Sequence, residues 1–192
     1  MTNKNTWLNW LLLAILCLAV FAIVNGNTDI LDYNREMILD GEYWRLITGN
    51  FNHTNIYHLL LNIAGLAVIA GLHHTYFDSK AFISLIVFLS ITIGLCILWL
   101  SPGTSLYVGL SGVLHGLLIV GAIIDVGKKH YSGYLLIIGV IGKVASEQLF
   151  ESPAQVSELI EATVLTDAHL YGLLAGIAVA PIYVYLALKK SA

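Results

Sequence analysis

Ser111 stands in the run Gly109-Leu110-Ser111-Gly112 at the head of a short apolar segment, and His169 heads another apolar segment near the C-terminus. A serine is a poor nucleophile until a base removes its proton and hydrogen-bond donors receive the charge that develops on the attacked carbonyl. His169 could be that base. His58 and Asn62, four residues apart and therefore on one helical face, could receive the oxyanion together with the Ser111 backbone N–H. Asp167 lies two residues before His169, and on a helix it faces away from it. No carboxylate is therefore expected to complete a triad, and a Ser111–His169 dyad is the simplest arrangement.

Helices must bring these residues together, and the composition says where those helices lie. Of 192 residues, 58% are hydrophobic and 11% are charged, which excludes an ordinary soluble domain and indicates a polytopic membrane protein. In hydrocarbon every backbone group must be hydrogen-bonded internally, so long apolar runs mean helices. Six candidate spans follow, at 7–24, 56–72, 81–100, 111–124, 131–145 and 168–188. They predict an all-α fold, one six-transmembrane-helix domain over residues 1–192. The stretch 125–130 between the fourth and fifth segments carries Asp125, Lys128 and Lys129, which favours two helices over one broken span. Cys17 and Cys96 fall inside segments and are read as small packing residues.

Charge asymmetry orients the bundle. Six spans collect Lys4, Lys80, Lys128, Lys129, Lys189 and Lys190 on one side, against Arg35, Arg45 and Lys143 on the other. Both termini are therefore expected in the cytoplasm. The outer side also holds most of the acids, Asp29 and Glu151 among them. The outer loop 25–55 mixes apolar and charged residues in a pattern suited to short interfacial helices, with Tyr43 and Trp44 as anchors. A second acidic loop, 146–166, could cover whatever lies at that end. His73, His74 and His130 fall at the inner end and read as interfacial residues.

This topology puts Ser111, His169, His58 and Asn62 on one level near the outer surface. Segment 111–124 would rise only about 21 Å at about 1.5 Å per residue, against a hydrocarbon core of about 30 Å. Ser111 is thus expected several ångströms below the outer boundary, beneath a turn-forming run at 101–105. Gly172 and Gly176 share a helical face with His169, and Gly112 and Gly116 repeat the small-xxx-small spacing after Ser111. Contact between those faces would join serine to histidine.

These residues carry a resemblance to a known family. Gly109–Gly112 as Gly-x-Ser-Gly, His169 with Gly172 and Gly176, His53 with His58 and Asn62, and the pair Trp44-Arg45 together resemble the motifs of the rhomboid intramembrane serine proteases. The resemblance implies a six-helix fold, cleavage of membrane-anchored proteins in or beside a transmembrane segment, Ser111 as nucleophile, His169 as general base, and His58 and Asn62 as oxyanion donors. His115 stands where many relatives carry a tyrosine. Together with the run from Gly109 to Gly116, it is more similar to the rhombosortase branch. That branch implies bacterial surface or secreted substrates with a C-terminal Gly-rich motif and a transmembrane anchor, cut at the periplasmic side of the inner membrane.

Other readings stand beside this one. Read singly, Ser111 is more often a helix cap or packing residue than a nucleophile. His58 and Asn62 could hydrogen-bond between helices without catalytic duty, His53 could simply shape the loop, and His115, one turn after Ser111, could compete as the base. A rhomboid-like protein that binds transmembrane helices without cutting them is the non-enzymatic alternative. No His-Glu-x-x-His run occurs and the outer histidines have no evident carboxylate partner, so no metal or other cofactor is expected. The expected partners are membrane-anchored proteins and the bilayer, with no nucleic acid.

Overall fold

A computed structural model describes residues 6–24, 30–150 and 154–189. Residues 25–29 of the outer loop, and with them Asp29, lie outside the described residues, as do Lys4, Glu151 and Lys190 of the charge count. In chain order the elements are α1 (Thr6–Val24), β1 (Tyr33–Asn34), α2 (Arg35–Leu39), α3 (Arg45–Thr48), α4 (Ile56–His73), a 3-10 turn (His74–Tyr76) and α5 (Ser79–Leu100). There follow β2 (Leu106–Tyr107), α6 (Ser111–Gly127), α7 (Ser132–Leu149), α8 (Ala154–Ile160) and α9 (Thr166–Lys189). Each of the six apolar segments is helical. Among the described residues, four helices are long and apolar enough to cross a membrane: α1, α4 with its 3-10 turn, α5 and α9. α7 reaches that measure only together with α8, and α6 is a shorter apolar helix.

Local chemistry sets where these helices begin. The Asn55 side chain accepts from the His58 N–H at 2.9 Å to start α4, and Asp78 accepts from the Ala81 N–H at 2.9 Å to start α5. Along α5, Leu85, Leu89, Ile93 and Ile97 make a stripe with no exposed surface, while Trp99 of the same helix is 70% exposed. Leu135 and Ile138 of α7 point outward in the same way. Hydrocarbon accepts such side chains as readily as a protein core does, so apolar burial alone cannot hold these helices together. Close packing must.

The tightest packing is at the glycines of α6 and α9. A Cβ on Gly112 would lie 2.8 Å from the Ala168 carbonyl oxygen, and one on Gly176 would lie 2.8 Å from that of Gly116. A Cβ on Gly172 would collide with the Gly112 carbonyl oxygen. α6 is the hub of the bundle, in contact with α4, α5, α7 and α9. Most of its residues from Val113 to Ile124 are buried, with His115, Leu118 and Ile123 half-buried.

The first loop is also built into the bundle. α3 lies on α5 where a Cβ on Gly94 would come within 2.7 Å of the Leu46 carbonyl oxygen. Arg45, 4% exposed, donates to Glu42 Oε2 at 2.6 Å and to the Asp32 carbonyl at 3.0 Å. Two short strands, which the apolar pattern does not announce, pair antiparallel as Tyr33 with Tyr107 and Asn34 with Leu106.

At the opposite end from Ser111 the structure corrects one expectation. His73 is not an interfacial residue: it has no exposed surface and its Nε2 lies 3.2 Å from Asp125 Oδ2. Asp125 belongs to α6, turns inward, and also accepts from the Tyr76 hydroxyl. A charged residue in this setting is tolerated because it is paired. His130 stays exposed, and His74 stacks on Trp7 with ring centroids 4.0 Å apart.

Gly172→Ala should force α6 and α9 apart and lower stability by about 1–3 kcal/mol. Gly139→Ala on α7, where a Cβ meets nothing within 4 Å, should be neutral or stabilising. Thermal unfolding of the two variants in detergent micelles checks the contrast, and equal melting temperatures would contradict the seam.

Candidate active site

Ser111 is the first residue of α6, and His169 lies in the first turn of α9. Because Gly112 rests against Ala168 and Gly172 against Gly112, the two side chains face each other across the seam. Ser111 Oγ and His169 Nε2 are 2.8 Å apart. This short separation allows the hydroxyl to donate to the ring nitrogen. The N–H groups that open α6 precede its first helical bond, from Leu114 N–H to the Leu110 carbonyl at 3.0 Å, and so have no acceptor within the helix.

The chain entering α6 is held at several points. Gly109 N–H donates to the Gly49 carbonyl at 3.1 Å, and the Tyr107 hydroxyl donates to the Gly109 carbonyl at 2.7 Å. Gly109 has a φ of +126°, and a Cβ there would stand 2.8 Å from His58 Nε2. Only glycine satisfies both conditions. Ser111 follows from this turn with a fixed backbone direction.

His58, Asn62, Ser111, His115 and His169 all line one cavity of about 1070 Å³. Much of its lining is apolar, including Leu61, Val68 and Leu72 of α4 and Leu136 of α7. Asn62 donates to the His58 carbonyl at 3.1 Å, which leaves its second N–H available to the cavity. His58 Nδ1 is 3.1 Å from Thr54 Oγ1. His53 lies edge-on to His58, with centroids 5.0 Å apart. Burial, and next the nearby His58, push the His53 imidazole down to about 3. It is a neutral packing ring beside the oxyanion candidates. Arg45 braces the loop rather than the cavity, and Trp44, 52% exposed, does not line it.

His115 donates from Nδ1 to the Ser111 carbonyl at 2.8 Å, and its ring stacks on His169 with centroids 4.3 Å apart and planes 20° apart. It supports the His169 ring and makes no contact with Ser111 Oγ of the kind His169 makes. Asp167 faces the other way, as expected, accepting from Ser101 Oγ at 2.5 Å, and Tyr171 OH stands 2.7 Å from the same oxygen. These bonds fasten the first turn of α9 to the end of α5.

The expectation that no carboxylate stands near His169 does not hold. Glu147 Oε2 lies 2.8 Å from His169 Nδ1, on the opposite side of the ring from Ser111. The reason is that α7 runs past the apolar segment to Leu149, so Glu147 belongs to its last turn rather than to the outer loop. Lys143, one turn back, holds Oε1 of the same carboxylate. The only sequence signal was this Lys-x-x-x-Glu spacing. His115, Glu147 and His169 each bring a possible ligand atom within 4.8 Å of the others. The stacked imidazoles, however, direct their in-plane lone pairs side by side rather than toward one centre, which suits a hydrogen-bonded chain better than a metal.

A partial cover lies over the cavity beside α4. Asn55 donates to the Leu159 carbonyl at 2.9 Å and Thr54 Oγ1 to the Ile160 carbonyl at 2.6 Å, and Val156, Ile160 and Leu165 line the space below. The acidic second loop thus covers this end of the bundle.

The rhomboid domain family model matches residues 40–186, from the first loop through most of α9. No curated protein matches the chain.

Thr54→Val should loosen the cover by removing the bond to Ile160, a loss of about 1 kcal/mol. Backbone hydrogen exchange in residues 158–162 should then accelerate about fivefold; an unchanged rate would show that the cover does not depend on this contact.

Proposed function

Because the chain belongs to the rhomboid family, whose members are intramembrane serine proteases acting on membrane-anchored proteins, we propose that it is a serine endopeptidase with Ser111 as nucleophile and His169 as general base. The observation that carries the reading is the 2.8 Å separation of Ser111 Oγ and His169 Nε2, made between two helices at the wall of a cavity. As Ser111 Oγ bonds to the scissile carbonyl carbon, its proton passes to His169 Nε2. The oxyanion forms beside the Ser111 N–H, the remaining Asn62 N–H and the His58 ring protonated at Nε2. That tautomer leaves His58 Nδ1 to accept from the Thr54 N–H, 3.5 Å away. His169 then protonates the leaving amine, and in the second half it takes a proton from the water that releases the acyl group.

The apolar wall made by α4 and α7 suits a transmembrane segment brought to Ser111 from the side. Glycine lowers helix stability by about 1 kcal/mol relative to alanine, so a Gly-rich stretch at the end of such a segment would unwind most readily. In this reading the domain spans residues 1–192, crosses the membrane six times with both termini cytoplasmic, and cuts at the outer face. His115 and the run from Gly109 to Gly116 favour the rhombosortase branch, with C-terminal Gly-rich sorting anchors of bacterial surface or secreted proteins as substrates.

A fluorophosphonate probe should label the wild-type protein in detergent, and Ser111→Ala and His169→Ala should each abolish labelling. Labelling that survives without Ser111 removes the nucleophile from the scheme, and equal labelling without His169 removes the base. Absence of labelling in the wild type would favour a protein that binds transmembrane helices without cutting them.

A further inference from the structure

We propose that Glu147 makes the pair a triad, as the positioning residue that fixes the ring and tautomer of His169; the proposal rests on the protease reading above. Two groups flank the His169 imidazole: Ser111 Oγ at 2.8 Å from Nε2 and Glu147 Oε2 at 2.8 Å from Nδ1. If Nε2 is to accept the serine proton, Nδ1 must carry the ring proton. A carboxylate at Nδ1 selects that tautomer and balances the charge when the imidazolium forms.

The surroundings separate this contact from a surface ion pair. The side chains of His169 and Glu147 are 7% and 10% exposed, so solvent neither screens the interaction nor readily replaces either partner. The carboxylate cannot rotate freely, because Lys143 holds its other oxygen. The ring cannot swing freely either, because His115 stacks on its face while donating to the Ser111 carbonyl. Glu147, Lys143 and His115 together leave His169 one orientation, the one that meets Ser111. These three residues come from α6 and α7, so the active orientation of a side chain on α9 is set by its neighbours.

The test uses the full chain in detergent and a fluorophosphonate probe, whose maximal labelling rate and half-saturating concentration are measured separately. Glu147→Gln should lower the maximal rate about 100-fold, within the range that acid–base catalysis supplies, and leave the half-saturating concentration nearly unchanged. Glu147→Asp, which keeps the anion, should recover at least about tenfold of that loss. A Glu147→Gln rate within about twofold of wild type, with Ser111→Ala still unlabelled, would overturn the triad while leaving the protease reading intact. A loss that Glu147→Asp does not relieve at all, in variants with unchanged melting temperature, would also overturn it, since it would show that the carboxylate is not what His169 needs.

Discussion

The contact of α6 with α9 through bare backbone is the constraint on which the rest depends. Lipid offers these helices no apolar incentive to associate, so what holds them is the number of atoms that can touch, and glycine maximises it. The cost is that the Gly112 and Gly172 positions admit no side chain. The result is a helix pair whose separation is fixed by main-chain atoms, which have no rotamers to relax. Ser111 and His169 stand one residue before and three residues before these glycines, so their distance inherits that rigidity.

A second constraint acts on direction rather than distance. α6 has no side-chain cap, and its first residue is the serine. Its entry is set instead by the left-handed turn at Gly109, braced by Gly49, Tyr107 and His58. The loop that supplies Gly49 is anchored in turn by buried Arg45 and by the strand pair Tyr33–Tyr107. Residues outside the cavity lining, Arg45 and Gly49 among them, therefore help determine where the first N–H groups of α6 point. Trp44 and Arg45, adjacent in sequence, divide the work: one faces outward and the other ties the loop together.

The helices were legible in the sequence because hydrocarbon requires long apolar runs, and Ser111, His58, Asn62 and His169 were legible because each is a polar residue at the head of such a run. Glu147 was not. Its position depends on how far α7 continues past Ala145 and on the rotation of α7 about its axis, and neither is encoded in an apolar pattern. His73 and Asp125 escaped for a related reason: each looks like an end-of-helix residue until both are seen to turn inward at the same level, with Tyr76 beside them. Hydropathy reports the depth of a residue. It does not report the side of the helix on which a rare polar group meets another.

His169 lies on the last helix, and this order has a consequence for the protein while it is being made. Chains are synthesised from the N-terminus and their early parts settle first. His58 and Asn62 enter the membrane before Ser111, and β1 must wait for β2 before its edge is paired. In the proposed reading, the serine still has no base when α7 brings Glu147. Only with α9 does the imidazole arrive, already directed by the two helices that await it. In the proposed reading, a partly made chain carries a serine without its base and cannot attack the membrane proteins assembling around it.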